Sequence, residues 1–381
     1  MGVLDLLSGE FREPAECIVR IGTAEDEMAD LYPFLVELTV DVNRSEAAVA
    51  TLRFDSRRDE NGLWTVQDAG LLAPWEPIMI DAAFGSHREE VLRGYVREAR
   101  ADYPEQRGSA SVQVDCQDLS LALDRRHVRT TWGAETPTTD STIVNTILTR
   151  HGLTPHPASG TGLSDLELNQ DSTDIRFLRD RASANGYELI FQTEEGVYFG
   201  LPRLEAEPQN TILVYAGPDT NCLRFAVRSD GHQPDAVAFD SASSSGAESQ
   251  EEVIQPNLPI LGTEPADSSS SGLDEFTWRM ERQGSSRPEE LRARAQRQAN
   301  EQSLRVRAEG ELDGSLYGHV LRAGEPVGVD GIGDWYQGIY YVDSVRHRFS
   351  ASGYRQQFTL LRNAYGDNLT GSGGLLSAVL G

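Results

Sequence analysis

Short segments in which apolar and polar residues alternate constrain this chain more than any other feature. From Phe34 to Val42 apolar residues occupy every second position, and the segment from Ala48 to Phe54 repeats the pattern. A period of two is typical of a β-strand with one buried face. Turn-forming clusters such as Asp59–Gly62 separate the segments, with no helical pattern between them. Residues 15–135 are therefore predicted to form a small antiparallel β-barrel or sandwich.

The periodicity changes after residue 135. Asp140 is predicted to cap a helix that carries Ile143, Val144, Ile147 and Leu148. A second helix is expected from about Asp174 to Asn185, where the following Gly186 suits a left-handed helix end. A short strand pair follows, so residues 136–204 are predicted to be a small α/β domain inserted between β-rich regions.

Strand patterns return at residues 205–240 and 276–365, which are predicted to form a second β-barrel domain with a helix at 286–303. Ser286 and Glu289 have the spacing of a capping box, and Ala295 and Ala299 would face a sheet. Residues 241–275 are rich in Ser, Gly, Glu and Pro, so a flexible low-complexity insertion is expected there. The fold class predicted is mainly β with an α/β insert.

Two terminal segments are predicted to lie outside these domains. Residues 1–14 would be an N-terminal arm, and residues 366–381 a C-terminal tail. The tail ends in an apolar run, which suggests docking onto a partner or a neighbouring subunit. The residues expected to dock are Leu375, Leu376, Val379 and Leu380.

The charge balance excludes two classes of partner. The chain has 34 basic residues, all of them arginine, against 60 acidic residues, and its formal net charge is −26. A surface this acidic repels nucleic acid and anionic lipid, so neither is an expected partner. The acidic residues are spread along the sequence, which favours adaptation of the whole surface to concentrated salt over one functional anionic patch. A halophilic source is the hypothesis.

No catalytic, cofactor-binding or metal-binding residues are predicted. The sequence has no serine-hydrolase, zinc-protease or nucleotide-binding motif. Its three cysteines, Cys17, Cys116 and Cys222, are far apart and are expected to be reduced and buried. His151 and His156 are the closest histidine pair but lie in an apparent loop, and Gly328, Gly331 and Gly333 are interpreted as turn glycines.

The sequence also shows no pattern typical of a secretory signal or a membrane span. The first residues carry Asp5 and form no secretory apolar core, and no apolar run reaches the length of a membrane span. The protein is expected to be cytoplasmic on synthesis, without direct membrane insertion.

Two segments resemble a known family. Residues 175–189, with Phe177-Leu178 on a helix and Gly186-Tyr187-Glu188 at the following strand, resemble a signature of phage tail-hub proteins of the late control protein D family. Residues 338–360, containing Tyr341-Val342 and Gly353-Tyr354, resemble the closing hairpin of that family. Gly94-Tyr95-Val96 is placed like a similar strand of the first barrel. The same fold forms the N-terminal hub of type VI secretion VgrG proteins.

The resemblance implies a structural, non-enzymatic baseplate hub of a contractile tail or a phage-derived contractile injection system. It implies a homotrimer of two pseudo-repeated barrels per chain, which joins a hexameric tail tube or tube-initiator protein to a trimeric spike and contacts baseplate adaptor proteins. The spike would be a separate polypeptide, and the protein would end as part of a virion tail or an extracellular injection particle. The alternatives are a hub from a non-contractile viral tail and, in a different class, a halophilic hydrolase or glycan-binding β protein.

Overall fold

The computed structural model describes residues 14–105, 110–191, 195–241, 250–267, 272–281 and 288–369. One large sheet joins strands from both ends of the sequence and contains most of the strands. The mainly β fold with an α/β insert is confirmed. The predicted docking residues Leu375, Leu376, Val379 and Leu380 lie outside the described residues, as does most of the predicted arm 1–14.

The first β-rich region alternates in burial as its sequence alternates in polarity. Along β3 the buried residues are Leu38, Val40 and Val42, which are the apolar residues at every second position. This region also contains two 3₁₀ helices, Ala29–Phe34 and Gln67–Ala69. Its elements are β1 (Glu16–Ile21), β2 (Asp26–Glu27), β3 (Leu35–Asn43), β4 (Val49–Asp55), β5 (Pro77–Phe84), β6 (His87–Asp102), β7 (Ser111–Asp118) and the short helix α1 (Ser120–Leu123).

The α/β insert has its own core. Its helices pack through Ile143, Ile147 and Leu178 against Val197 and Phe199 of the following strand pair. Helix α3 ends as predicted at Gly186, whose φ is +68°. The elements are β8 (His127–Trp132), α2 (Asp140–Arg150), β9 (Leu168–Thr173), α3 (Asp174–Asn185), β10 (Glu188–Ile190) and β11 (Tyr198–Gly200).

The predicted cap of α2 is wrong by one residue. Thr139 is the N-cap, and its side-chain oxygen accepts a hydrogen bond from the amide of Thr142 at 3.2 Å. Asp140 is instead fully buried and accepts a 2.6 Å hydrogen bond from Nε of Arg181 on α3. Because a buried carboxylate needs a charged partner, Asp140 joins the two helices instead of capping one of them.

The second β-rich region is interrupted by a small three-stranded sheet on which α4 packs. Ala295 and Ala299 of α4 are buried against Val237 and Phe239, as the small-residue stripe predicted. A third 3₁₀ helix lies at Gly217–Asp219. The elements are β12 (Gln209–Leu213), β13 (Cys222–Ser229), β14 (Ala236–Ser241), β15 (Gln250–Ile254), β16 (Glu264–Pro265), β17 (Thr277–Arg279), α4 (Pro288–Ser303), β18 (Val306–Asp313), α5 (Gly314–Tyr317), β19 (Pro326–Asp330), β20 (Gly338–Ser350), β21 (Gly353–Arg362) and β22 (Ala364–Tyr365).

The segment 241–275 differs from the predicted flexible insertion where it is described. Strand β15 pairs antiparallel with β14, and β16 pairs antiparallel with β22 in a separate two-stranded sheet. Leu261 is only 3% exposed and packs on Tyr341, while its amide donates to Asn363 Oδ1 at 2.9 Å. A few apolar residues within a polar, Ser-rich composition are therefore enough to attach residues 250–267 to the second β-rich region.

Candidate assembly surface

Two sets of six strands have the same sequence order and the same order in the sheet. If the six strands of each set are numbered in chain order, their order across the sheet is second, third, sixth, fifth, fourth and first in both sets. Both sets contribute to one continuous hydrophobic core. In the first set this order is β3-β4-β7-β6-β5-β1, and in the second set it is β13-β18-β21-β20-β19-β12.

All corresponding strand pairs run antiparallel except the last. Strand β1 is antiparallel to β5, whereas β12 is parallel to β19. The strand registers allow residues to be matched one to one through the antiparallel pairs. For example, Val96 of β6 lies opposite Cys116 as Val342 of β20 lies opposite Leu360.

Two irregularities of the first set coincide with two of the second set at the matched positions. The register shifts by one residue at Arg97 in β6 and at Asp343 in β20. A second pair of shifts falls at Val36 in β3 and at Leu223 in β13. Because a β-bulge bends its strand and increases the local twist, shared bulges give the two sets the same local shape.

The connection into the fourth strand of each set is also the same. Trp75 donates its amide hydrogen to the Val96 carbonyl at 2.7 Å, and Gly324 donates to the Val342 carbonyl at 2.9 Å. Both residues have positive φ, +76° for Trp75 and +78° for Gly324. The sequence Glu-Pro follows each of them, at residues 76–77 and 325–326.

Strands β3 and β20 join the two sets within one chain, and this pairing is called the internal junction below. The strands are antiparallel, with Val345 opposite Val42 and His347 opposite Val40. Val345 and His347 are 2% and 1% exposed, because they face the common core. On the outer face, Arg346 Nε donates to Asp41 Oδ1 at 2.5 Å. The internal junction is therefore apolar inside and charged outside.

Arg44, just after β3, fixes one end of the internal junction. Its guanidinium donates to Glu188, Glu301 and Asp343, each at 2.6–2.8 Å. Burial disfavours the charge, but the hydrogen bonds and charges of these carboxylates raise the pKa of Arg44 above its ordinary value. Burial also raises the pKa of Glu188, which accepts a hydrogen bond from Tyr341 as well. Arg44 therefore connects β20, the α/β insert and α4 through its hydrogen bonds to Asp343, Glu188 and Glu301.

The first set has no described counterpart of the internal junction. Strand β5 pairs with β6 only over His87–Tyr95, so residues 97–102 of β6 have β7 on one side and no strand on the other among the described residues. All six side chains of residues 97–102 are exposed. At the matched positions of β20, Ser344–Arg348 pair with β3.

Strand β13 is another open edge. Among the described residues it pairs only with β18 and stands at one end of the sheet path. Phe225 and Val227 are partly buried against the core, while Leu223 is 52% exposed. Its matched strand in the first set, β3, is covered by β20. The two open edges together form the candidate assembly surface. An open edge presents unpaired backbone hydrogen-bonding groups and is suited to pairing with another strand.

A cluster of His87, Glu89 and His319 contacts both strand sets and was not predicted from the sequence. His87 and Glu89 lie two residues apart on one face of β6, and His319 follows α5. Nε2 of His87 and Nδ1 of His319 each lie 2.6 Å from Oε1 of Glu89. Burial acts against ionisation of Glu89, but hydrogen bonds from both histidines and the Val320 amide lower its pKa. Histidine and glutamate side chains of this kind could bind a transition metal. Glu89 and His319 are 230 positions apart in the sequence.

The histidines considered from the sequence are not brought into such a cluster. His151 Nε2 lies 2.9 Å from Asp174 Oδ2, and His156 lies beside Arg203 and Glu195. Neither belongs to a grouping of three potential metal ligands within the described residues. Gly331 and Gly333, both with φ of +88°, form the turn after β19 as predicted, whereas Gly328 lies within β19, so its interpretation as a turn glycine is wrong. None of the helices within the described ranges has the length and apolar character needed to cross a membrane.

Solved structures share this fold over almost the whole chain. The 43 kDa tail protein of prophage MuSo2 from Shewanella oneidensis aligns with a TM-score of 0.67 and 12% identity, covering 92% of this chain and 98% of that one. A tail protein from Neisseria meningitidis MC58 gives 0.63 and 13%, covering 92% and 97%. The E. coli c3393 protein, a component of the type VI secretion system, gives 0.52 and 14%, covering 87% and 75%.

At these identities the comparison shows the fold alone. The predicted likeness to phage tail proteins and to a type VI secretion component is confirmed at that level, while membership of the late control protein D family stays a prediction. Comparison with curated protein sequences gives no match. One family model, the Alg8 N-terminal domain, matches residues 18–351, which is well over half of the chain. The name of that family states no activity. By this match the chain belongs to the Alg8 N-terminal domain family.

Proposed function

We propose that the protein is a structural baseplate hub of a contractile tail or of a phage-derived contractile injection system. In this role it is a homotrimer that joins a hexameric tail tube to a trimeric spike, and it carries out no catalysis. The fold supports the role because similar chains are tail proteins and a type VI secretion component. The partners proposed are the spike, the tube or a tube-initiator protein, and baseplate adaptor proteins.

One observation carries the proposal: a single chain contains two strand sets with matching order, matching bulges and matching connections. Each set would be one barrel of a ring. A ring between a sixfold tube and a threefold spike must present six similar surfaces on one side and three identical surfaces on the other. Three chains with two similar sets each satisfy both conditions.

The parts that differ between the sets would provide the threefold side. The α/β insert and the α4 segment each occur once per chain, so a trimer would present three copies of each. The C-terminal residues Leu375, Leu376, Val379 and Leu380 stay the proposed docking tail for the spike or a neighbouring subunit. The finished protein would reside in a virion tail or an injection particle.

The acidic surface would make assembly depend on salt. At −26 per chain, three chains repel one another in dilute buffer. At molar salt the reach of each charge falls to about 3 Å, so repulsion no longer opposes contact. This is the behaviour expected of a protein from a halophile.

Electron microscopy of the assembled particle tests the role. The expected result is three copies of this chain between tube and spike, with six similar density lobes facing the tube. A single copy, six copies, or a position away from the tube axis would contradict the proposal.

A further inference from the structure

We propose that residues 97–102 of β6 pair antiparallel with β13 of a second copy, in the register that β20 and β3 adopt within one chain. The inference rests on the proposed trimer and names the strands that close it. The pairing is called the external junction below. It would continue the sheet from the first set of one copy into the second set of the next.

The argument starts from the matched positions. When the two strands are aligned at their bulges, Arg97 corresponds to Asp343, and Ala101, four residues later, corresponds to His347. By the same matching, Val227 of β13 corresponds to Val40 of β3. Since His347 lies opposite Val40 in the internal junction, Ala101 is expected to lie opposite Val227 of the partner subunit.

The occupant proposed for each open edge is another copy of the chain. Within one chain, β13 and β6 are separated in the sheet by β18, β21, β20, β3, β4 and β7, and the two strands are not paired with each other. Across copies, each chain offers one β6 edge and one β13 edge. Such a head-to-tail contact closes into a ring when the rotation per copy divides a full turn. Two similar junctions per copy, one internal and one external, then give six steps in a ring of three copies.

In this register, the side chains that would point toward the core are small or apolar on both strands. Ala99 and Ala101 take the places of Val345 and His347, which face the core in the internal junction. Both alanines are exposed in the single chain. Opposite them the register places Ser229 and Val227 of the partner subunit. Small side chains on β6 suit this position, because they leave room for the partner strand to approach.

The continuation beyond β6 adds an aromatic pair. Tyr103 is 54% exposed and would lie opposite Phe225 of the partner subunit, as Phe349 lies opposite Leu38 in the internal junction. Aromatic side chains contribute large apolar area when buried. Tyr103 is already oriented by Trp64, whose ring centroid is 5.1 Å away. The aromatic pair would therefore form without reordering Tyr103.

The outer face explains why salt matters at this contact. The register places Arg100 opposite Arg228 of the partner subunit, with Glu98 and Asp102 diagonally on either side of that arginine. Arg100 itself lies 3.5 Å from Glu98 and 3.9 Å from Asp115. In the internal junction the matched pair is Arg346 with Asp41, which attract each other. The external junction is thus the weaker of the two in dilute buffer.

Cysteine cross-linking tests both the strands and the register. Directly opposed residues in an antiparallel pair have Cα atoms about 4.5–5.5 Å apart, which suits a disulfide. The double variant A101C/V227C is expected to give covalent dimers and trimers under mild oxidation at molar salt. The double variant A101C/F225C reports a register slipped by two residues and should give at least tenfold less product. The single variants measure the background from Cys17, Cys116 and Cys222.

A charge variant tests the same contact without oxidation. A101E places a carboxylate in the apolar face of the external junction but on the exposed surface of the single chain, so the subunit should fold. Its trimer is expected to dissociate at a concentration at least tenfold higher than that of A134E, which makes the same change in an exposed turn of the α/β insert.

The outcomes separate the junction from the hub role. The external junction is overturned, with the hub role intact, if native mass shows trimers but A101C/V227C gives no cross-linked product. It is overturned in the same way if trimers form and A101E associates as strongly as A134E. Cross-linking only in A101C/F225C overturns the register proposed here. A protein that stays monomeric at every salt concentration and in the particle overturns the hub role and the junction together.

Discussion

Residues 97–102 and residues 343–348 occupy the same place in two matching strand sets, but their surroundings are opposite. In β20 this stretch is covered by β3, and His347 is 1% exposed. In β6 this stretch pairs with β7 on one side, no described strand pairs with its other edge, and all six side chains are exposed. The comparison teaches that burial here is decided by whether the same chain supplies the next strand, because the strand itself is built alike in both sets.

A second difference is how each end of the stretch is fixed. The bulge residue Asp343 of β20 accepts a 2.8 Å hydrogen bond from Arg44, which also contacts Glu188 and Glu301. The matched bulge residue in β6 is Arg97, which is exposed. The internal junction is thus fixed by a buried ionic site, and the open edge is not.

Removing the arginine should break the internal junction and has the largest expected effect. R44A leaves the Glu188 carboxylate, 4% exposed, without its charge partner in the interior. Loss of one member of a buried ion pair costs about 3–5 kcal/mol of unfolding free energy. R53A removes the exposed Arg53 from Glu37, 3.5 Å away, and should change stability by less than about 1 kcal/mol. Urea unfolding of the two variants measures the difference, and equal losses would contradict a buried ionic anchor.

The matched positive-φ residues give the next largest effect. A Cβ at Gly324 would meet Ile190 Cδ1 at 2.3 Å and would also sit at φ +78°. Trp75 has nearly the same φ, but its side chain is 45% exposed and its ring lies under Arg125, so it meets no buried neighbour of this kind. G324A should therefore cost about 2–4 kcal/mol, from the left-handed backbone together with overpacking.

The control for G324A is G333A. Gly333 also has positive φ, but nothing lies within 4 Å of a Cβ built there. Its cost should be only the backbone penalty of about 1–2 kcal/mol. Thermal or urea unfolding gives both values. If the two variants lose the same stability, the close packing of the second connection against the α/β insert is wrong.

The buried histidine makes the second strand set sensitive to acid. Burial lowers the pKa of His347 from 6.5 to about 3. The folded state therefore binds a proton at His347 less well than the unfolded state does. The stability that neutral His347 allows is present above pH 6.5, and it is lost as pH falls toward 3. Between pH 7 and pH 5 the loss is about 2 kcal/mol.

H347Q should remove that part of the pH dependence. Unfolding free energies of the wild type and H347Q, measured from pH 7 to pH 5, should differ in slope. H232Q, at an exposed histidine, shows how much of any change comes from replacing a histidine by glutamine as such. Parallel curves for the wild type and H347Q would show that His347 is not buried in solution. The matched residue of the first set is Ala101, which cannot titrate.

The smallest effect is expected from the outer face of the internal junction. Arg346 and Asp41 are 55% and 43% exposed, so solvent screens their attraction. R346A should cost about 0.2–1 kcal/mol, and less at molar salt. R307A, which removes a partner of Glu309 on β18, is the comparison. A loss above about 2 kcal/mol for R346A would mean that the internal junction depends on its surface ion pairs and not on its buried face.

Much of the strand content could be predicted from sequence because burial on one face imposes a period of two. Most of the segment from Phe34 to Val42 became β3, which begins at Leu35 after a 3₁₀ helix that contains Phe34. The apolar pattern of residues 338–360 became the hairpin of β20 and β21. Helix α3 was predictable for a related reason, since Asn185-Gly186 provides a left-handed end. These signals are local, so they are readable without tertiary information.

The matching of the two sets was not readable as a repeat of fixed period. The turn between β3 and β4 spans residues 44–48, whereas β13 and β18 are separated by residues 230–305. The sequence signals that survive are short, such as Glu-Pro at 76–77 and 325–326 and Tyr-Val at 95–96 and 341–342. An insertion of this length removes the fixed spacing on which repeat detection depends.

The candidate surface could not be predicted because it depends on what lies next to a strand. Ala99 and Ala101 alternate with charged residues as in any half-buried strand, yet they are exposed here. Conversely, the Ser-rich composition of residues 241–275 hid the buried Leu261. The cluster of Glu89 with His319 joins residues 230 positions apart, and no local pattern reports such a contact.

Native mass measurement of the isolated protein across a salt series tests the central claim most directly. The account predicts a monomer of 41.9 kDa in dilute buffer and a trimer of about 126 kDa, three times that mass, as salt approaches molar concentration. The trimer should be lost in A101E and kept in A134E. A monomer at every salt concentration, or a dimer or hexamer in place of the trimer, would contradict a ring of three copies.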